Sequence, residues 1–168
     1  MVARRTSRAP AAPAVSALDA GLRLLARRAH SRVELLVKLT RRGYEGGAIV
    51  AAMRRLEELG YLDDQSFARS YVRRRGSMRG PRALSAELAA RGVDRAQVDV
   101  AMDDFGAAEQ LAVATQIAER LYARSPLPGR REILDGIGSK LVKRGFSMGV
   151  ARAACMSVLA KAGEGTDS

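Results

Sequence analysis

The sequence predicts an all-α protein built from three tandem three-helix repeats, and three observations carry that prediction. A short motif recurs: Lys38-Leu39 leads to Gly43-Tyr44, Glu87-Leu88 to Gly92-Val93, and Lys140-Leu141 to Gly145-Phe146, with the glycines 49 and 53 residues apart. Self-similarity at such a period marks a repeat architecture. Past each glycine, apolar residues return at spacings of four and three: Ile49, Met53 and Leu56; Val98, Met102 and Phe105; and, more weakly, Ala151, Cys155 and Val158. Those spacings place each set on one helical face. Before each motif lies another apolar-periodic segment: Leu18, Leu22 and Leu25; Phe67 and Tyr71; Leu111, Ala114, Ala118 and Leu121.

The helices follow in order. The first runs from about Ser16 to Arg28. Ser31 and Glu34 form a capping box ahead of a helix that turns Leu35, Leu36 and Leu39 inward. Gly43 ends it. The next helix carries Ile49, Met53, Leu56 and Leu59 and closes at Gly60, with Tyr61 folding back onto Leu56. Asp63 or Asp64 caps the fourth helix, since acids suit the positive helix start. That helix buries Phe67 and Tyr71 and ends at Arg73 to Gly76. Gly80-Pro81 opens the fifth, proline being tolerated at the first helical position. It holds Leu84 and Leu88 and ends at Gly92. The acidic sixth helix bears Val98, Met102 and Phe105, and a longer one spans about Ala107 to Ala123. Ser125 to Gly129 breaks the chain. The following helix contains Gly136 and Gly138, each costing about 1 kcal/mol against alanine, so the third module is expected to be the least stable. Gly43, Gly60, Gly92 and Gly145 are structural: a helix ends most readily where the following residue turns left-handed, which glycine does without a Cβ penalty.

A module of about 50 residues buries too little surface to be robust alone. The repeats are therefore expected to stack into an elongated, curved array. The expected division is a disordered basic tail at 1–15, repeats at 16–60, 61–106 and 107–161, and a disordered tail at 162–168. Tryptophan is absent and aromatics make up 4% of the chain, so the cores are built from Leu, Ala, Val and Met.

The formal net charge of +11 and pI near 10.9 point to an anionic partner. The charge is segregated. Arg69 to Arg82 holds six arginines and no acid, whereas Gly92 to Glu119 holds six acids against Arg95 alone. Basic stretches recur in all three repeats. The candidate contact residues are Lys38, Arg41 and Arg42; Arg69, Arg73, Arg74, Arg75, Arg79 and Arg82; Arg91; and Lys140, Lys143 and Arg144. Arg79 and Arg82 flank the Gly80-Pro81 helix start, where free backbone N–H groups would favour phosphate.

Other chemistry is absent from the sequence. The single cysteine, Cys155, falls on an apolar helical face and reads as a core thiol of a protein from a reducing compartment. His30 is the one histidine and reads as a packed turn residue rather than a base. No Cys/His cluster has zinc spacing, the Asp63-Asp64 pair is explained by helix-start duty, and no phosphate-binding glycine loop occurs. The expectation is a cytoplasmic, non-catalytic binding protein without metal, cofactor or small-molecule substrate, and with no run long enough to span a membrane.

One stretch is more specific: Gly60-Tyr61-Leu62-Asp63-Asp64, then Phe67-Ala68, Tyr71-Val72 and Arg75. With Ser31-Arg32-Val33-Glu34-Leu35, Gly80-Pro81, Arg91-Gly92-Val93 and Arg144-Gly145-Phe146-Ser147, the chain from Leu18 to Leu159 resembles the RecX family, bacterial regulators of the RecA recombinase. The resemblance implies three three-helix repeats in a curved array. It also implies a protein that lies in the groove of the RecA–DNA filament, opposing filament growth and inhibiting strand exchange, ATP hydrolysis and coprotease activity. RecA and the RecA–ssDNA filament are then the partners, with naked DNA as a further one, in recombination, DNA repair and the SOS response. The third repeat departs most, because Gly136, Gly138 and Gly149 loosen its helices. The residues themselves leave two alternatives open: a general helical nucleic-acid-binding protein acting without RecA, and a helical scaffold for acidic protein partners.

Overall fold

The computed structural model describes residues 15–164; residues 1–14 of the tail expected at 1–15, and residues 165–168 of the tail expected at 162–168, lie outside them. All regular structure among the described residues is helical. The chain divides into two compact units, Met1–Asp64 and Gln65–Ser168.

The first unit holds α1 (Ala17–Arg27), α2 (Arg32–Arg41) and α3 (Gly46–Glu58). Ser16 caps α1 and Ser31 caps α2, the Ser31 hydroxyl accepting the Glu34 N–H at 3.1 Å. The core joins Ala20 and Leu24 to Leu35, Leu39, Ile49, Met53, Leu56 and Leu62. Its phase on α1 differs from the expected one. Leu18, Leu22 and Leu25 only flank the core, while the small residues Ala17, Ala20 and Gly21 are buried. The cause is close approach: a Cβ at Gly21 would lie 2.8 Å from Leu56 Cδ1, so small residues must face α3. Leu36 and Leu59, expected inward, are exposed; Leu36 follows Leu35 by about 100° around the helix and leaves the buried stripe. Tyr61 is 60% exposed, and Leu62, not Tyr61, packs against Leu56.

Two polar groups lock this unit. Asp64 accepts the Arg32 N–H at 2.7 Å through Oδ1, closing the start of α2 from a distant point in sequence. Burial raises its carboxyl above the usual range, more than the bond from Arg32 lowers it. His30 is 4% exposed, with Nδ1 2.9 Å from the Arg28 carbonyl oxygen. That bond requires Nδ1 to carry hydrogen and donate. Burial, and then the Arg28 charge, lower its pKa below the ordinary 6.5.

The second unit takes α4 (Asp64–Arg75), α5 (Pro81–Ala89) and α6 (Arg95–Asp103) around Phe67, Tyr71, Leu84, Leu88, Val98 and Phe105. It continues through α7 (Ala107–Arg124), α8 (Arg130–Ile133), a π-helical segment (Leu134–Gly138), α9 (Ser139–Lys143) and α10 (Met148–Glu164). The last helix reaches Glu164, into the tail expected at 162–168. The π segment joins α8 to α9 without a break. It falls on Gly136 and Gly138, where the missing side chains ease a locally widened helix. Ile133, Ile137 and Leu141 remain buried across it, with Phe146, Ala154 and Cys155. Val113 of α7 packs against both cores of this unit.

Four helix ends share one device. Gly43, Gly60, Gly92 and Gly145 have φ of 80°, 71°, 75° and 94°. Each donates its N–H to the carbonyl three residues back, and the next residue donates to the carbonyl five back. At Gly92 these bonds run to Ala89 (2.9 Å) and Leu88 (3.2 Å). Together they satisfy carbonyls that a helix terminus otherwise leaves unpaired.

Gly92→Val is expected to lower stability by about 1–3 kcal/mol, the strain of a branched residue in the left-handed region. Gly145→Ala is expected to exceed Gly43→Ala, because both positions have positive φ but only at Gly145 would a Cβ come 2.4 Å from the Ala83 nitrogen, whereas at Gly43 it would meet nothing within 4 Å. Urea denaturation of the three variants checks both. A second expectation concerns pH. A lowered folded pKa means that the neutral His30 supports folding above pH 6.5. That support is lost as pH falls from 6.5 through the folded value. Melting temperature should therefore drop over this range in the parent, with a shallower drop in His30→Gln, as differential scanning calorimetry would register.

Candidate basic interface

The interface begins with α4. Tyr71 and Arg75 are four residues apart and share a face. Across from them α5 presents Glu87, whose carboxylate accepts the Tyr71 hydroxyl at 2.5 Å and lies 3.6 Å from Arg75 Nη2 and 3.4 Å from Arg79 Nε. Burial, then the bond to Glu87, push the Tyr71 hydroxyl pKa up. Arg91 stacks over the Tyr71 ring at 4.7 Å, and its Nη1 donates to the Glu87 carbonyl at 2.8 Å. Arg75, Arg79 and Arg91 are therefore built into a half-buried polar cluster. Arg75 Nε is buried there without a hydrogen-bond partner among the described residues. Such a cluster orients arginines more than it leaves them free to meet a ligand.

Next to it two helix ends touch. The Gly80 N–H donates to the Arg144 carbonyl at 2.8 Å and the Arg82 N–H to the Gly145 carbonyl at 3.1 Å. This corrects an expectation: two N–H groups at the α5 start bond carbonyls at the end of α9 instead of standing free for phosphate. The approach excludes side chains, because a Cβ at Gly80 would lie 2.4 Å from the Gly145 carbonyl carbon.

The junction brings the end of α4 beside α9. Between them opens a cleft of about 450 Å³ lined by Arg75, Met78, Arg79, Lys140, Lys143 and Arg144. No carboxylate lines it. Lys140 and Lys143 are exposed and have no acidic partner among the described residues. The Arg144 guanidinium donates to the Lys140 carbonyl at 3.1 Å, which holds it along its own helix.

The rest of the arginine run points elsewhere. Arg69 lies 3.7 Å from Asp104, and with Arg73 and Glu109 it lines a cleft of mixed charge. Helical geometry explains the split: Arg69 and Arg73 share a face that Arg75, about 200° further round, does not. Arg73 and Arg74 hydrogen-bond to Ser70, and Arg82 is exposed. In the first unit Lys38 is half-buried and Arg41 exposed. Arg42 joins Arg23, Arg27 and Tyr44 around a small cleft of about 290 Å³ that no acid lines. Sequence reasoning missed Glu87, Met78, Arg23, Arg27 and Tyr44 as site residues. Only the Arg23/Arg27 pair, four residues apart, carried a local signal.

Glu87→Ala is expected to destabilise the protein by about 1–3 kcal/mol, the cost of stranding a buried hydroxyl and two guanidinium groups. The same change should tighten binding to single-stranded DNA, because it removes the carboxylate beside the cleft. Urea denaturation and fluorescence anisotropy would read the two effects separately.

Family comparison places this geometry in context. Residues 17–56 match the family model "RecX, first three-helix domain" and residues 63–102 match "RecX, second three-helix domain". The regulatory protein RecX of Halorhodospira halophila is 39% identical over 137 residues, covering 81% of this chain and 84% of its own. That of Thermus thermophilus is 41% identical over 135 residues, covering 80% and 87%. The crystal structure of RecX from Lactobacillus salivarius superposes with a TM-score of 0.76 at 24% identity, covering 84% of this chain and 94% of that one, a likeness of fold. With about two-fifths identity across four-fifths of its length and both helical-domain models matched in order, the chain belongs to the RecX family of regulatory proteins.

Proposed function

We propose that this protein is a non-catalytic regulator that binds RecA–DNA filaments, opposes their growth and lowers strand exchange, ATP hydrolysis and coprotease activity. The observation that carries the reading is the cleft between the end of α4 and α9, lined by Arg75, Arg79, Arg144 and the exposed Lys140 and Lys143 and by no carboxylate. Two trios of helices contribute to that cleft. A contact surface shared between the repeats at 61–106 and 107–161 suits a target that itself repeats, since linked weak contacts raise affinity through effective concentration. The exposed Arg73, Arg74 and Arg82 add further contacts in the same unit, and Lys38, Arg41 and Arg42 of the repeat at 16–60 supply a separate set. Arg75, Arg79 and Arg91 shape the contact surface.

Charge reversal tests this reading more cleanly than truncation. Removing residues from Ala107 onward would also take away the carbonyls that hold the start of α5. Lys140→Glu/Lys143→Glu and Arg73→Glu/Arg74→Glu are each expected to weaken binding to RecA-coated single-stranded DNA by about tenfold or more, equivalent to about 1.4 kcal/mol, with unchanged melting. Titrations on naked and RecA-coated DNA at one salt concentration, beside a RecA ATPase assay, check this. The arginine-lined cleft around Tyr44 favours a second reading, a general nucleic-acid binder that stacks bases on the ring. Equal affinity for naked and coated DNA would support that reading, and binding to neither would support a scaffold for acidic proteins.

A further inference from the structure

We propose that the third helix trio carries a docking groove for a short amphipathic helix with apolar anchors and acidic flanks, supplied by a protein partner. The groove lies between the π-helical segment with α9 and the first turn of α10. It encloses about 880 Å³, the size of sites that hold drug-sized ligands. Leu134, Val142 and Met148 give it apolar walls, and Met148 is 72% exposed. It is separate from the basic cleft, sharing only Lys143 with it, and it does not depend on the filament reading.

Glycine placement argues that the opening is kept. Gly136, outside the groove, is explained by packing, because a Cβ there would sit 3.0 Å from Leu127 Cδ1. Gly138 is buried over Cys155 inside the π segment, which accounts for it. Gly149 lines the groove and has no such reason: a Cβ there would meet only Ser147 Oγ at 4.0 Å, and its φ is not positive.

Charge selects the occupant. Lys143 and Arg152 stand on the rim without acidic partners among the described residues, against the single acid Asp135, which lies 3.8 Å from the exposed Arg131, so the rim is net positive. The start of α10 adds positive potential at the same end. An apolar-anchored helix laid in a groove presents side chains at i, i+3, i+4 and i+7, and acids flanking them would meet the rim. Residues 1–14 carry Arg4, Arg5 and Arg8 and no acid, the wrong charge for this rim.

The test uses the full-length protein and two short fluorescein-labelled peptides with leucines at those four positions, one with glutamates on the polar face and one with lysines. Fluorescence anisotropy should give saturable binding of the acidic peptide, with Kd on the order of 10 μM, and at least tenfold weaker binding of the basic twin. Gly149→Leu, which fills the groove at a position free of packing contacts, should abolish binding while circular dichroism and melting stay like the parent. Arg152→Glu, an exposed change that leaves the fold alone, should shift preference toward the basic peptide. The proposal is overturned if the acidic peptide fails to saturate, if both peptides bind alike, or if folded Gly149→Leu binds as the parent does. It is also overturned if sedimentation reveals self-association that Gly149→Leu removes, since the occupant is then a second copy.

Discussion

Backbone meets backbone where the end of α9 reaches the start of α5, and the basic cleft depends on that meeting. Two carbonyls that α9 cannot satisfy internally accept two N–H groups that α5 cannot satisfy internally, so each helix terminus completes the other. The negative end of one helix dipole also faces the positive end of its neighbour. The arrangement tolerates only glycine at Gly80 and Gly145, whose added Cβ atoms would lie 2.4 Å from backbone. Residues 75–79 and 140–144 become neighbours because this contact fixes them.

Within that frame, arginine number is a poor guide to free positive charge. Glu87 gathers Arg75 and Arg79 and takes the Tyr71 hydroxyl, while Arg91 caps the ring from the other side. Arg69 is drawn toward Asp104. What stays available at the cleft is the pair of lysines on α9. Lysine presents a mobile point charge on a flexible stem, whereas a paired guanidinium is a planar fork already committed to its acceptor. The arginines set the shape of the surface and the lysines supply its adaptable charge.

The parts legible in the sequence are those with a local cause. Gly43, Gly92 and Gly145 announce left-handed helix ends because a backbone conformation restricts the residue type directly, and the Ser31/Glu34 spacing announces a helix start. Where neighbours from afar decide, local pattern fails. The leucines of α1 suggest a stripe at 18, 22 and 25, yet close packing of Leu56 on Gly21 rotates the buried face onto Ala17 and Ala20. Tyr61 loses its expected contact to Leu62, the next residue round. The division of the arginine run over two faces follows from helical phase. The pairing of Arg75 and Arg79 with Glu87, and the cleft they share with Lys140, needed contacts between segments far apart in the chain.

Cys155 turns the interior of the third trio into its own reporter. The thiol is fully buried against Ile133 and Gly138, and burial raises its pKa. The thiolate is the reactive form, so alkylating reagents act slowly on the closed state for two reasons, exclusion and protonation. Modification proceeds through transient opening. When reclosing outruns the chemistry, its rate measures the population of opened molecules. A single residue thus converts the fluctuations of the glycine-bearing helix beside it into a rate that can be timed.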